Sequence, residues 1–251
     1  MKIDLNSDLG ESYGPWSMGD DGAMLDIVTS ANIACGGHAS DPETMFSTLR
    51  LAAERGVVIG AHPGYADREG FGRRVIPMSP AAAGRMVAAQ IGALAGVAAM
   101  AGAHIHYVKP HGALSNVSMD NRAMADAIVA AIKAQPGDLA LLAISGTELE
   151  EAGRAAGLTV FSEIFADRGY LPNGRLVPRS QPGAMIHDAG AAAERLLGFL
   201  ESGRMSVVGG DPIPLKAQSV CVHGDSPGAV AMAREIRTAL ESRNVEIASF
   251  L

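Results

Sequence analysis

Seven short apolar runs recur along this chain, and a segment with helical signals follows each of them. They cover residues 2–6, 30–35, 57–61, 104–109, 139–144, 158–165 and 219–222. Most are continuous rather than alternating, the pattern of parallel strands covered on both faces. Asp41-Pro42, Ser79-Pro80 and Ser226-Pro227 each set a capping side chain before a proline at a first helical position. Thr147 and Glu150 have the spacing of a capping box. Met124, Ile128 and Ile132 line one face of a helix over 121–133. Repetition of strand then helix predicts a parallel sheet in an α/β fold, and six or seven such units in 251 residues fit a seven-stranded (β/α) TIM-like barrel. The alternative is a doubly wound open sheet, but no GxGxxG or GxxxxGK[ST] supports its nucleotide-binding forms. One domain over 1–251 is expected, interrupted by a Pro-, Gly- and Arg-rich loop at about 169–185 that reads as a lid or binding loop.

Composition narrows the partners. Hydrophobic residues make up 48% of the chain and charged ones 19%, enough apolar surface for a large core. A net charge of -7 lacks the basic stripe that nucleic acid or an anionic membrane needs, so a small-molecule substrate is expected. Cys35 and Cys221 are too few for a disulfide framework and read as reduced thiols. Residues 81–103 are apolar enough to suggest a membrane span, but Arg85, Gln90 and four glycines favour a buried, Ala-rich helix. The first residues turn acidic without the apolar core of a signal peptide, so a cytoplasmic location is expected.

Polar residues gather where the runs end. Asn6, Asp8 and Glu11 belong to the first; Asn32, Cys35, Gly36, Gly37 and His38 to the second; His62 and Asp67 to the third. Lys109 and His111 end the fourth, Asp167 and Arg168 the sixth, and His223, Gly224 and Asp225 the seventh. In parallel α/β folds these ends form the site, because a rigid sheet holds the side chains there. His38, His62, His111, His187 and His223 lie at such ends or at a helix start, whereas His104 and His106 read as structural. Imidazoles of this kind serve as base, acid or metal ligand, and Asp8, His38 and His62 form a candidate set for a divalent ion. No HExxH or paired CxxC singles that out. Lys109 is either an ion-pair partner or a cation for an oxyanion or phosphate. Arg168, Arg175 and Arg179 are either anion clamps or solvated loop residues. Gly36, Gly37 and Gly224 either bring backbone amides to a ligand or make turns. Asp67 and Arg68 can form a loop ion pair. Cys35 with His38 could form a dyad, though a buried thiol is the plainer reading, and no GxSxG elbow is present.

The segments carrying these residues resemble one family. NSDLGE at 6–11, NIACGGHASD at 32–41, GAHPGYADREGFGRR at 60–74, VKPHGALSN at 108–116, EIFADRGY at 163–170, LVPRSQPGAMI at 176–186 and CVHGD at 221–225 are similar, in order, to those of the LamB/YcsF family. The departures, GYAD without a proline before the Asp and ALSN without an aromatic before the Asn, remove no ionisable group. The resemblance implies an irregular barrel like those of glycoside hydrolases and carbohydrate deacetylases. It also implies ATP-dependent opening of 5-oxo-L-proline to L-glutamate, with this chain working beside 5-oxoprolinase subunits B and C. In that setting Asp8 with His38 or His62 would activate water or hold a metal, and Lys109 with Arg168 would face anionic oxygens. His111 and His223 would shuttle protons, with Asp225 orienting. Asn6, Glu11, Asn32, Gly36, Gly37, Asp167 and Arg179 would line the substrate or phosphate. The rival readings are a stand-alone metal-dependent deacetylase and a non-catalytic lactam-binding component.

Overall fold

Each of the seven apolar runs forms a strand. A computed structural model of the chain describes residues 1–224 and 228–251. Its first strands are β1 (Lys2–Leu9), β2 (Ser30–Ala34), β3 (Val58–His62), β4 (Tyr107–Val108), β5 (Ala140–Ile144) and β6 (Val160–Phe165). The short pair β7 (Arg204–Met205) and β8 (Ile213–Pro214) forms an antiparallel hairpin outside the main sheet. Then come β9 (Ser219–Cys221) and β10 (Glu246–Ile247). Strands β1 to β6 and β9 pair in parallel in that order, and β9 returns to β1, with Asp4 opposite Ser219. This closes a seven-stranded barrel and rules out the open sheet; β10 adds to the start of β1.

The helices cover the barrel as α1 (Asp21–Leu25), α2 (Pro42–Glu54), α3 (Pro80–Ala101), α4 (Gly112–Ser118), α5 (Arg122–Lys133), α6 (Glu148–Ala155), α7 (Ala189–Ser202) and α8 (Ala229–Ser242). Asp41 and Ser79 cap α2 and α3 as expected, and the Asn121 side chain caps α5. Thr147 caps α6 through the Glu150 amide, but the Glu150 carboxylate reaches one residue further back, to the Gly146 amide at 2.7 Å. The cap expected at Ser226-Pro227 lies outside the described residues.

One helix differs from expectation. α3 is buried only along the stripe Ala83, Val87, Gln90, Ile91, Leu94 and Ala98, and its other face, including Met100, is exposed. Its stripe follows the 3.6-residue period of a surface helix, so alanine on the outer face lowers its polarity without burying it. By length and composition alone α3 could cross a membrane.

The loop over 169–185 is tied back to the barrel. Arg168 donates from Nε to the Ala184 carbonyl and from Nη2 to the Val177 carbonyl, at 3.1 and 2.8 Å. The Gly169 amide reaches Ala184, and the Ile186 amide reaches Asp167. The loop therefore stands over the strand ends as a fixed wall.

Candidate functional site

The barrel interior is polar because the side chains of β1 alternate. Asp4, Asn6 and Asp8 share its inward face. Buried charge is tolerated only when paired and hydrogen-bonded, and here one network provides this. Lys109, just past β4, sets Nζ 2.8 Å from Glu163 Oε1, 3.0 Å from Asp8 Oδ1, and 3.2 Å from both Asn6 Oδ1 and Cys221 Sγ. Asn32 donates to Asn6 and Asp8 at 2.7 and 2.8 Å, and the Tyr107 hydroxyl donates to Asn32 Oδ1 at 2.6 Å. Asn6 in turn donates to Glu163 at 2.9 Å and Ser219 at 2.6 Å. Asp4 accepts hydrogen bonds from Thr29, Ser30 and Ser219.

Their charge states follow from this wiring. Burial would raise the Asp8 carboxyl, but His62 and Lys109 beside it hold it well below the usual carboxylate range. Burial would lower Lys109, but Asp8, Cys221 and Glu163 hold it well above the ordinary lysine value. Burial raises Glu163 despite Lys109, and raises Asp4 to about 6. Glu163 and Asp4 belong to the site's charge network, and strand-end position alone does not reveal them. The available signal was a carboxylate within a strand, at 163 between apolar neighbours on one side and a serine on the other, and at 4 on the same period as Asn6 and Asp8.

Above this network lie three stacked or edge-on imidazoles. His38 stacks on His111 at 3.6 Å between centroids, and His62 meets both edge-on. His62 Nδ1 is 2.6 Å from the Lys109 carbonyl, and His111 Nε2 is 2.8 Å from the Phe71 carbonyl. A carbonyl only accepts, so both of these nitrogens carry hydrogens. The opposite nitrogens, His62 Nε2 and His111 Nδ1, face each other at 3.0 Å. Glu11 Oε1 sits 3.0 Å from His38 Nε2 and 3.7 Å from His111 Nδ1, and Asp8 Oδ2 is 3.3 Å from His62 Nε2. One ligand atom from each of Glu11, His38, His62 and His111 lies within 4.8 Å of the others, and all four residues are buried. The donor set therefore fits a metal ion. It shares His38 and His62 with the expected set and adds Glu11 and His111, with Asp8 beside them. Burial, with the neighbouring imidazoles, lowers His38 well below its ordinary value and His111 to about 3.

A cavity of about 510 Å³ opens next to these groups, lined among others by Asp8, Lys109, Glu163, Arg73, Arg179 and His223. His223 Nδ1 donates to Asp167 at 2.7 and 2.8 Å, and Arg179 Nη2 lies 3.2 Å from His223 Nε2. Burial opposes ionisation of Asp167, but the His223 contact holds its carboxyl below the usual range. Asp167 is therefore the hydrogen-bond partner of His223; Asp225 lies outside the described residues. Arg168 lines the cavity but anchors the loop, and burial lowers it to about 10. Arg175 is held by Asp120 and by the Met119 and Gly146 carbonyls.

Several other expectations resolve structurally. Gly37 makes room for the Gln90 amide, which a Cβ would meet at 2.5 Å, and the Gly36 carbonyl accepts from Arg68. Neither glycine lines the cavity. Asn6 and Asn32 serve the interior network beneath it. Asp67 pairs with Arg74 rather than Arg68, whose guanidinium lies over Tyr13. Cys35 is buried, donates to the Ile33 carbonyl and is pushed up to about 12 by burial, so it forms no dyad with His38. His187, His104 and His106 are exposed and lie off the site.

The sequence profile of the LamB/YcsF family matches residues 3–251. The A component of a 5-oxoprolinase from Nocardia farcinica is 53% identical over 251 residues, covering 100% of both chains. Its counterpart from Gluconobacter oxydans is 49% identical, over 98% of this chain and 96% of the other. The crystal structure of a lactam utilization protein from Thermus thermophilus superimposes with a TM-score of 0.94 at 43% identity, covering 100% of both chains. A putative cellobiose-phosphate cleavage protein from Enterococcus faecalis, at 14% identity and a TM-score of 0.57, shares the fold alone over 99% of this chain and 97% of its own.

Proposed function

This chain belongs to the LamB/YcsF family, and from that premise we propose that it is the A component of an ATP-dependent 5-oxoprolinase that opens 5-oxo-L-proline to L-glutamate with subunits B and C. The observation that carries the reading is the cavity, where an ionised carboxylate, an ammonium and a carboxylate-oriented imidazole converge beneath arginines.

A five-membered lactam is a resonance-stabilised amide, so its hydrolysis benefits from coupling to ATP. Phosphorylation of the lactam oxygen releases ADP, a first water adds to that carbon and the C–N bond opens to leave an acyl phosphate, and a second water cleaves this to glutamate and phosphate. Such a course needs a base, an acid and cations around phosphoryl oxygens. His223 suits the proton transfers, because Asp167 fixes Nδ1–H and leaves Nε2 on the cavity side, where Arg179 meets it. Asp8, held ionised, is a weak base and serves as a fixed negative charge that positions Lys109 and His62. Arg73 and Arg179 are suited to phosphoryl or carboxylate oxygens. Glu11, His38, His62 and His111 would hold a divalent ion, which when bound supplies positive charge for a carbonyl or phosphoryl oxygen. The cavity volume, within the ordinary range for ligand sites, leaves space beside a small lactam for a phosphoryl group.

The test is release of glutamate from 5-oxo-L-proline by this chain with and without ATP and the partner subunits. Turnover that requires all components supports the proposal. ATP-independent deacylation of an acylated sugar would overturn it in favour of a deacetylase. Unchanged glutamate release after His223→Ala would assign this chain a binding role alone.

A further inference from the structure

The histidine cluster has an arrangement of lone pairs that hydrogen bonding within it does not resolve. Because the Lys109 and Phe71 carbonyls fix the hydrogens on His62 Nδ1 and His111 Nε2, neutral rings turn two bare lone pairs toward each other across 3.0 Å. Carboxylate oxygens then approach the same point, Asp8 Oδ2 at 3.3 Å from His62 Nε2 and Glu11 Oε1 at 3.7 Å from His111 Nδ1. Four acceptors converge, each buried or nearly so. Convergent acceptors in a low-dielectric site repel unless a cation lies among them.

We infer that His62 Nε2, His111 Nδ1, His38 Nε2 and Glu11 Oε1 form a binding site for one late first-row divalent cation, of the zinc class rather than magnesium or calcium. Imidazole nitrogens favour zinc, cobalt or iron, whereas magnesium and calcium prefer all-oxygen sites. The ring N–H bonds to the Lys109 and Phe71 carbonyls are the outer contacts that fix the tautomer and aim of metal-binding imidazoles. Asp8 lies outside this set as a neighbouring anion that also holds Lys109. The competing occupant is a single proton shared by His62 and His111. It would satisfy one pair of nitrogens without drawing His38 and Glu11 into one site.

The site belongs to the same rim as the proposed lactam chemistry, yet its test needs no substrate, so the two can fail separately. Full-length protein is stripped with a chelator and titrated calorimetrically with zinc chloride and, separately, with magnesium chloride. The expected result is one zinc per chain, no comparable magnesium binding, and a zinc-dependent rise in thermal midpoint. His62→Ala and His111→Ala, each checked for native circular dichroism, should weaken zinc by more than the roughly 10–100-fold that loss of an outer-shell partner costs. Should either alanine variant fail to fold, His62→Gln and His111→Gln replace it. Absence of stoichiometric zinc binding in the wild type, preference for magnesium, or zinc binding unchanged in folded variants would overturn the inference.

Discussion

Lys109→Met removes the cation that Asp8 and Glu163 share while keeping most of the side-chain volume. Asp8 is held ionised, so the variant leaves an uncompensated charge beside a second carboxyl in the barrel interior. Breaking a buried ion pair by deleting one partner costs about 3–5 kcal/mol. For a chain of this size that corresponds to a thermal midpoint lower by roughly 6–20 °C. Lys109 is raised, so its contribution is full below the ordinary lysine value and is lost only as pH climbs through its higher folded value. Asp8 is lowered, so its contribution is full above the ordinary aspartate value of 3.8 and disappears as pH falls through its lower folded value. The penalty should therefore be complete at pH 7 and shrink in strong acid. Adding Glu163→Gln removes one of the two stranded carboxyls and should recover about 1–3 kcal/mol. Thermal denaturation followed by circular dichroism at pH 7 measures both variants. A midpoint drop below about 2 °C for Lys109→Met, or no recovery in the double variant, would refute the claim that this network balances the interior charge.

Three further outcomes follow from the same geometry. Asp4 is raised to about 6 in the folded chain, so stability should fall as pH rises from 4 to 6, and Asp4→Asn should flatten that slope in urea titrations at successive pH values. Gly60→Ala would drive a Cβ to 2.3 Å from the Tyr107 ring inside the barrel, and its urea midpoint should report a loss of about 1–3 kcal/mol. Asp167→Asn frees His223 Nδ1 from its carboxylate and should lower kcat for glutamate release by about 10²–10⁴-fold with little change in KM; an unchanged kcat would remove His223 from proton transfer.

The framework of this fold was legible because every barrel strand carries a distinct apolar run and most helices begin at a capping side chain. The two-residue strands β7, β8 and β10 are too short to set a period and left no trace in the pattern. The rim was legible as a set of strand-end residues, but its partnerships were not. Glu163 reaches Lys109 across 54 positions, Asp167 holds His223 across 56, and Glu11 meets His111 across 100, separations that only barrel closure brings together. That is why neither the Asp167–His223 pair nor the grouping of Glu11 and His111 with His38 and His62 could be read from strand ends alone. Inward alternation along β1 is the sequence signal that could have found Asp4, since Asn6 and Asp8 were already singled out at the same period.

The central claim, that the cavity at the strand ends performs the ring opening, is tested most directly by glutamate release from 5-oxo-L-proline by Asp8→Asn and His223→Ala chains assembled with their partner subunits and ATP. Rates are normalised to the natively folded fraction. Each rate should fall by about 10²-fold or more. Rates within a few-fold of wild type in both folded variants would contradict the claim and move the chemistry elsewhere in the assembly.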